Sequence, residues 1–131
     1  MIKILLVDDN LTFLAAVRKC LAMLPNAQVV AEAHDGRQAL TQATQWRPDL
    51  VLLDIMMPVM NGLQVATIMQ TWPQPPKIIF LSMQDNAPYR QAAAELGVLG
   101  FVGKADFVLE LLPLIARLIG AGGAQTTGDT A

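Results

Sequence analysis

The amino-acid sequence predicts an α/β domain built on a doubly wound parallel sheet of five strands, with helices on both faces. Five short apolar runs alternate with longer stretches whose apolar residues recur at helical spacing. The run at residues 50–53 is apolar throughout, which is typical of a strand covered on both faces. Hydrophobic residues make up 53% of the 131 residues and charged residues only 15%, so the chain can bury one sizeable core.

The first strand is predicted at residues 4–7 and stops abruptly at an acidic pair. Asp9 and Asn10 supply a capping signal for the first helix. Apolar residues then recur at helical spacing up to Leu24, and Pro25 ends that helix.

The second strand is predicted at residues 29–33. It carries Glu32 within its apolar run, so we expect it at an edge of the sheet. Asp35 and Gly36 open the second helix, and Pro48 ends it.

The remaining elements continue the alternation. Pro88 is tolerated in the first turn of helix 4, and Gly97 ends that helix. Pro113 is awkward inside the last helix, so either the helix kinks or its regular part starts only near Glu110. We predict strands at residues 50–53, 78–81 and 99–102, and helices at residues 63–72, 87–96 and 107–119.

The chain is predicted to be one domain over residues 1–119, followed by a flexible linker or tail at residues 120–131. The last segment is rich in glycine, alanine and threonine and has no apolar periodicity. Five strand–helix units with a polar strand at one edge favour the flavodoxin-like strand order 2-1-3-4-5 over a pure Rossmann order.

Polar side chains stand where four of the five strands end. Ligands of such sheets bind beyond the carboxyl ends of the strands, near the switch point between strands 1 and 3. Strand 1 ends at Asp8 and Asp9, strand 3 at Asp54, strand 4 at Ser82, and strand 5 just before Lys104. Each of these residues alone could be an ordinary cap or loop residue. Their joint position at one edge favours a functional site.

Three carboxylates at one edge repel one another, which raises their pKa values unless a cation neutralises them. Oxygen ligands of this kind suit Mg²⁺, whereas a single histidine and a single cysteine give no zinc set. A carboxylate can also act as a nucleophile toward phosphorus, giving an aspartyl phosphate. The Lys104 ammonium and the Ser82 hydroxyl could then stabilise the phosphoryl oxygens.

Four segments carry a resemblance to a known family, and the second is the most specific. They are LLVDD at residues 5–9, DIMMPVMNGL at 54–63, LS at 81–82 and GFVGK at 100–104. With these motifs the chain resembles the receiver domain of two-component response regulators over about residues 2–119. Residues 31–40 and 100–106 are similar to the NarL-like transcriptional group.

The resemblance implies that Asp54 accepts a phosphoryl group from a sensor histidine kinase. Asp9, Asp54 and the backbone carbonyl of Met56 would coordinate Mg²⁺, with Asp8 acting through water. The chain would then catalyse only its own phosphoryl transfer and dephosphorylation, and would not be an enzyme for an outside metabolite.

The resemblance also implies that Ser82 and Phe101 form a coupled switch pair. Phosphorylation would turn the hydroxyl toward the phosphoryl group and move the ring inward, altering the face formed by helix 4, strand 5 and helix 5. That face could also form a homodimer.

Three residues depart from the family pattern. Met83 follows Ser82 where the family usually has a small residue, so it could crowd the access to Asp54. Ala105 replaces the frequent proline after Lys104, and the switch aromatic is Phe101 rather than tyrosine, which removes a hydroxyl.

Three other functions compete with this prediction. A haloacid-dehalogenase-type phosphatase needs Asp-x-Asp after strand 1, but Asp8 and Asp9 are adjacent. A nucleotide- or flavin-binding fold needs a glycine-rich phosphate loop, and residues 8–12 have no glycine. Met83 motivates the third, a receiver-like interaction module that is not phosphorylated.

The composition of the chain indicates which classes of partner it does not attract. A net charge of −2 predicts no strong attraction to DNA, RNA or an anionic membrane, and no apolar run reaches the ~20 residues that span a bilayer. We expect a soluble, cytoplasmic domain. NarL-like proteins carry a helix-turn-helix domain after a linker, so either such a domain follows this receiver or the receiver stands alone.

Overall fold

The computed structural model describes the backbone of residues 1–130 and the side chains of residues 1–120. Strands and helices alternate along it, as the sequence predicts. The strands are β1 (Ile2–Val7), β2 (Ala27–Ala33), β3 (Leu50–Asp54), β4 (Lys77–Ser82) and β5 (Gly100–Gly103). The helices are α1 (Leu11–Leu21), α2 (Gly36–Trp46), α3 (Gly62–Met69), α4 (Ala87–Glu95) and α5 (Phe107–Thr130), and a 3₁₀ turn covers Lys104–Asp106.

All five strands pair in parallel in the order β2-β1-β3-β4-β5, which confirms the predicted fold class and strand order. Alternate residues of each strand face opposite sides of the sheet. Leu5 and Val7 of β1 therefore pack into one core layer with α2, α3 and α4. Ile4 and Leu6 pack into the other layer with α1 and α5.

The polar second strand lies at the sheet edge, as predicted. β2 pairs only with β1, and most of its side chains are half-buried. Glu32 forms an ion pair with Arg18 of α1, and both side chains are partly exposed. The Glu32 charge is therefore neither fully buried nor unpaired. The edge position therefore accounts for the polar residue inside this strand.

Several helices begin or end at residues other than the predicted ones. Helix α1 ends at Leu21 and α3 at Met69, earlier than the apolar periodicity suggested. Helix α5 starts at Phe107 with Pro113 inside it, so a regular start near Glu110 is wrong. The helix also passes the predicted end at residue 119. The predicted linker lies, apart from Gly120, outside the residues whose side chains are described, and it stays a prediction.

The loop from β3 to α3 folds tightly back on the end of β3. Asn61 caps α3 by accepting a hydrogen bond from the Gln64 N–H, and the Gln64 side chain accepts one from the Asn61 N–H. The Gly62 N–H donates to the Ile55 carbonyl at 2.8 Å. A Cβ on Gly62 would lie 2.1 Å from the Asp54 carbonyl oxygen, so only glycine fits here. This close approach fixes the backbone that carries Asp54.

Candidate functional site

The carboxyl edge of the sheet brings the predicted polar residues together. Asp8 directly follows β1, Asp54 ends β3, Ser82 ends β4, and Lys104 directly follows β5. All four side chains are buried. Because charged residues are seldom buried without partners, the two buried carboxylates Asp8 and Asp54 require a compensating positive charge.

Lys104 supplies that compensation. Its ammonium lies 2.7 Å from Oδ2 of Asp8 and 3.5 Å from Oδ2 of Asp54. The other oxygen of Asp8 accepts a hydrogen bond from the Asn10 N–H at 2.8 Å, and Oδ1 of Asp54 accepts one from the Met56 N–H at 3.3 Å. One cation is thus shared by two buried carboxylates.

The contact between Lys104 and Asp8 is short but is not a well-formed hydrogen bond. Oδ2 of Asp8 is buried and has no hydrogen-bond partner of acceptable geometry, although the ammonium lies 2.7 Å away. The 2.7 Å distance identifies the contact as a buried ion pair, so the Lys104 ammonium is the partner of this oxygen.

Asp9 completes a three-carboxylate cluster from the solvent side. It is exposed, whereas Asp8 and Asp54 are buried, and one oxygen of each of the three lies within 4.8 Å of the others. Opposite ligands of an octahedral Mg²⁺ are about 4.2 Å apart. The all-oxygen donor set therefore suits a divalent hard cation, and binding by all three carboxylates would require their oxygens to move slightly closer together than 4.8 Å.

The pKa of Asp54 is raised to about 7. Burial is the main cause, and the neighbouring charge of Asp8 adds to it, while Lys104 and the Met56 N–H act in the opposite direction. One ammonium does not fully neutralise this cluster. A bound cation would favour the ionised form of Asp54 that a nucleophile requires.

The raised pKa predicts a pH-dependent stability in metal-free buffer. The folded state holds the Asp54 proton up to about pH 7, whereas the unfolded state loses it near pH 4. The contribution of Asp54 to stability is therefore intact below about pH 4 and is lost as the pH rises to about 7. We expect Asp54→Asn to match the wild type at pH 4 and to exceed it by on the order of 3 kcal/mol at pH 8.

Chemical denaturation in EDTA across pH 4–8 measures this difference. Glu95→Gln, at an exposed position on α4, is the control and should follow the wild type throughout. A constant difference between Asp54→Asn and the wild type at every pH would contradict the assigned direction of the shift.

Ser82 and Phe101, the predicted switch pair, are each held by a neighbour. The Ser82 hydroxyl accepts a hydrogen bond from the Gln84 N–H at 3.0 Å and donates to the Gln84 carbonyl at 3.2 Å. The half-buried Phe101 ring lies under the guanidinium of Arg90, with 4.8 Å between the guanidinium carbon and the ring centroid. Asp85 holds Arg90 through two contacts, at 2.5 Å and 2.9 Å. The hydroxyl is thus engaged with its own loop, and the role of the pair as a switch stays a prediction.

Met83 does not cover the site by packing into it. Its side chain is 75% exposed, beyond the buried end of β4. Met56, whose backbone carbonyl was predicted to bind the cation, has an exposed side chain whose sulfur accepts a hydrogen bond from the Tyr89 hydroxyl at 3.2 Å. The predicted role of that carbonyl remains a prediction.

Sequence reasoning missed the aromatic contacts of the site. The Lys104 ammonium lies 4.6 Å from the centroid of the Phe13 ring, and Arg90 covers Phe101. The sequence signal at Phe13 is only an apolar residue at helical spacing, which equally describes a core position. The contact appears only once α1 and β5 are placed in space.

Comparisons with known proteins place this site in a family. The family model described as response regulator receiver domain matches residues 4–113. The transcriptional regulatory protein DegU of Brevibacillus brevis is 33% identical over 120 residues, which are 88% of this chain and 50% of that protein. A protein-glutamate methylesterase/protein-glutamine glutaminase of Methanosarcina acetivorans is 38% identical over 105 residues, which are 78% of this chain and 30% of that protein. The chain thus spans half or less of these two curated relatives.

Solved structures agree with the sequence matches. The signal receiver domain of a NarL response regulator from Mycobacterium tuberculosis has a TM-score of 0.81 at 31% identity, covering 93% of this chain and 97% of that one. A LuxR-family two-component response regulator from an Aurantimonas species has a TM-score of 0.85 at 26% identity, covering 92% and 86%. The predicted resemblance to NarL-like regulators is confirmed.

Within the described part of the chain, no helix combines the length and the apolar character that crossing a bilayer requires. The family match covers most of the chain, from β1 into α5. The chain belongs to the response regulator receiver domains of two-component systems.

Proposed function

We propose that this receiver is a phosphorylation-controlled switch that takes a phosphoryl group on Asp54 from a sensor histidine kinase, with Mg²⁺ bound beside it. One observation carries the proposal. Asp54 is a buried carboxylate with a buried ammonium 3.5 Å away and with oxygens of Asp8 and Asp9 within 4.8 Å. A nucleophile, a cation site and a fixed positive charge therefore surround one point.

The chemistry is a single displacement at phosphorus. An Oδ atom of ionised Asp54 attacks the phosphorus of the phosphohistidine, and a P–O bond forms as the P–N bond breaks. The electron pair of the broken bond returns to the imidazole nitrogen, which takes up a proton. Hydrolysis later transfers the phosphoryl group to water and restores the Asp54 carboxylate.

Three groups on this chain would position the reaction. Lys104 places its charge where the phosphoryl oxygens arrive, and the Ser82 hydroxyl would leave Gln84 to donate to one of them. Mg²⁺ held by Asp9, Asp54 and the Met56 carbonyl, with Asp8 through water, would neutralise phosphoryl charge. No sequence-independent attraction to nucleic acid is expected from a domain of net charge −2.

Phosphorylation would change the surface that this domain presents to its partners. Release of Ser82 from its loop and inward movement of Phe101 would alter the face of α4, β5 and α5, through which a second copy could bind. The domain would act in the cytoplasm, where its kinase presents the donor. An interaction module that is never phosphorylated is less favoured, because the exposed side chain of Met83 leaves its main motivation without support.

Intact-mass measurement with Mg²⁺ and an acyl phosphate as small donor tests the proposal. We expect the wild type to gain about 80 daltons, the mass of one phosphoryl group. Asp54→Asn, which keeps the shape but not the nucleophile, should gain nothing, and EDTA should abolish the gain in the wild type. A folded wild type that gains no mass would contradict the proposal.

Cation binding can be tested without phosphorylation. Mg²⁺ at about 100 times its dissociation constant should stabilise the wild type by about 2.7 kcal/mol, seen as a higher melting temperature. Asp9→Ala should lose most of this gain, because it removes the exposed carboxylate of the cluster. Glu95→Ala, at an exposed carboxylate on α4, should keep the full gain. An unchanged Mg²⁺ response in Asp9→Ala would contradict the assigned site.

A further inference from the structure

Lys104 has a third neighbour besides its two carboxylates. Its ammonium lies over the Phe13 ring at 4.6 Å from the centroid, while its side chain is only 7% exposed. An ammonium removed from water interacts more strongly with an aromatic face than an exposed one does. The ring is therefore part of the environment that fixes the charge of Lys104.

Phe13 is tied to the site carboxylate through the backbone. The Asn10 N–H donates to Oδ1 of Asp8 at 2.8 Å, and Oδ1 of Asn10 accepts from the Phe13 N–H at 3.0 Å. This second bond is the cap of α1. The two hydrogen bonds set the start of the helix, and with it the ring, relative to Asp8.

A second ring supports the first. Phe107 begins α5, directly after the 3₁₀ turn that starts at Lys104. Its ring meets Phe13 edge to face, with centroids 5.1 Å apart and planes at 68°. The aromatic pair thus joins the starts of α1 and α5 beneath the ammonium.

The Phe13 ring and the two carboxylates attract the Lys104 ammonium in different ways. Oδ2 of Asp8 lies 2.7 Å and Oδ2 of Asp54 lies 3.5 Å from the nitrogen, so both carboxylates attract the ammonium as ion-pair partners. An aromatic face attracts the charge through its quadrupole and does not need a directed N–H bond. An ammonium has three N–H donors, so a ring that uses none of them leaves a donor for an oxygen that arrives between Asp8 and Asp54.

We propose that Phe13, supported by Phe107, is a positioning residue that holds the Lys104 ammonium between Asp8 and Asp54. This inference rests on the proposed function, since the purpose of the position is to meet phosphoryl oxygens. Without the ring, the ammonium is drawn toward Asp8, its nearer partner. Loss of the ring should therefore slow phosphorylation without removing any reactive group.

The test compares rates of phosphorylation by an acyl phosphate at saturating Mg²⁺. Phe13→Leu should lower the rate about 5–20-fold, and Phe13→Tyr, which keeps the aromatic face, should retain it within about twofold. Val17→Ala is the control for a purely structural effect, because Val17 is a buried residue of the same helix. It should lower the melting temperature and leave the rate unchanged.

A second measurement reports directly the position of the Lys104 side chain relative to the Phe13 ring. In proton NMR the ε-methylene signal of wild-type Lys104, assigned by its loss in Lys104→Arg, should be shifted upfield by the Phe13 ring. It should return toward the ordinary value in Phe13→Leu but not in Val17→Ala. An unshifted signal in the wild type, or equal rates for Phe13→Leu and the wild type, would overturn the inference. A wild type that accepts no phosphoryl group but shows the shift contradicts the proposed function and leaves the position of Lys104 supported.

Discussion

Lys104→Met is expected to lower the free energy of unfolding by about 3 kcal/mol at pH 8 in EDTA, because it leaves two buried carboxylates without a cation. The wild-type ammonium lies 2.7 Å from Asp8 and 3.5 Å from Asp54, and all three side chains are buried. Removing one member of a buried charge cluster costs more than the cluster itself contributes, since the remaining charges cannot return to water.

The loss of stability in Lys104→Met should depend on pH and on Mg²⁺. Below pH 5 it should shrink, because Asp54, whose pKa is raised to about 7, is then neutral. Mg²⁺ should restore part of it at pH 8 by supplying another cation. Lys77→Met, at an exposed lysine of β4, is the matched control and should change stability little. If Lys104→Met were as stable as the wild type at pH 8 in EDTA, the charge balance described for the site would be wrong.

Gly62→Ala is expected to be more disruptive than an added methyl group at any other glycine whose surroundings the structure describes. The added Cβ would lie 2.1 Å from the Asp54 carbonyl oxygen and 2.9 Å from the Ile55 Cα, and neither backbone atom can move cheaply. Overpacking of this kind costs about 1–3 kcal/mol and occasionally more, and backbone contacts place this case at the high end. We expect a lower melting temperature and a lower Mg²⁺ affinity, because the movement that makes room for the added methyl group would displace the Asp54 backbone.

Gly120→Ala is the control for this variant. It adds the same methyl group at a helical position where nothing lies within 4 Å, so its stability should equal or slightly exceed that of the wild type. Near-equal melting temperatures for Gly62→Ala and the wild type would show that the loop after β3 does not hold Asp54 rigidly.

Much of this site follows from the sequence because it depends on topology. Apolar runs locate the strands, and the alternation with helices fixes them as parallel. The polar residues that follow, Asp8, Asp54, Ser82 and Lys104, must then meet at one edge. The structure brings them together for that reason.

The remaining features depend on side-chain directions, which periodicity does not encode. The sequence does not reveal that Lys104 lies closer to Asp8 than to Asp54, or that the Ser82 hydroxyl is engaged with Gln84. Phe13 fits the pattern of a core helix residue, yet its ring lies under a charge. Helices α1 and α3 end three residues before their apolar spacing does, because the chain continues in tighter turns, in which the Leu24 N–H donates to the Leu21 carbonyl and the Trp72 N–H to the Met69 carbonyl.

Chemical trapping of the phosphorylated residue tests most directly whether Asp54 carries the phosphoryl group. Borohydride reduces an aspartyl phosphate to homoserine, and peptide mass spectrometry then locates the changed residue. After treatment with Mg²⁺ and an acyl phosphate, we predict homoserine at position 54 and unmodified aspartate at positions 8 and 9. Homoserine at either of those positions, or a phosphoryl group found on His34 instead, would contradict the account.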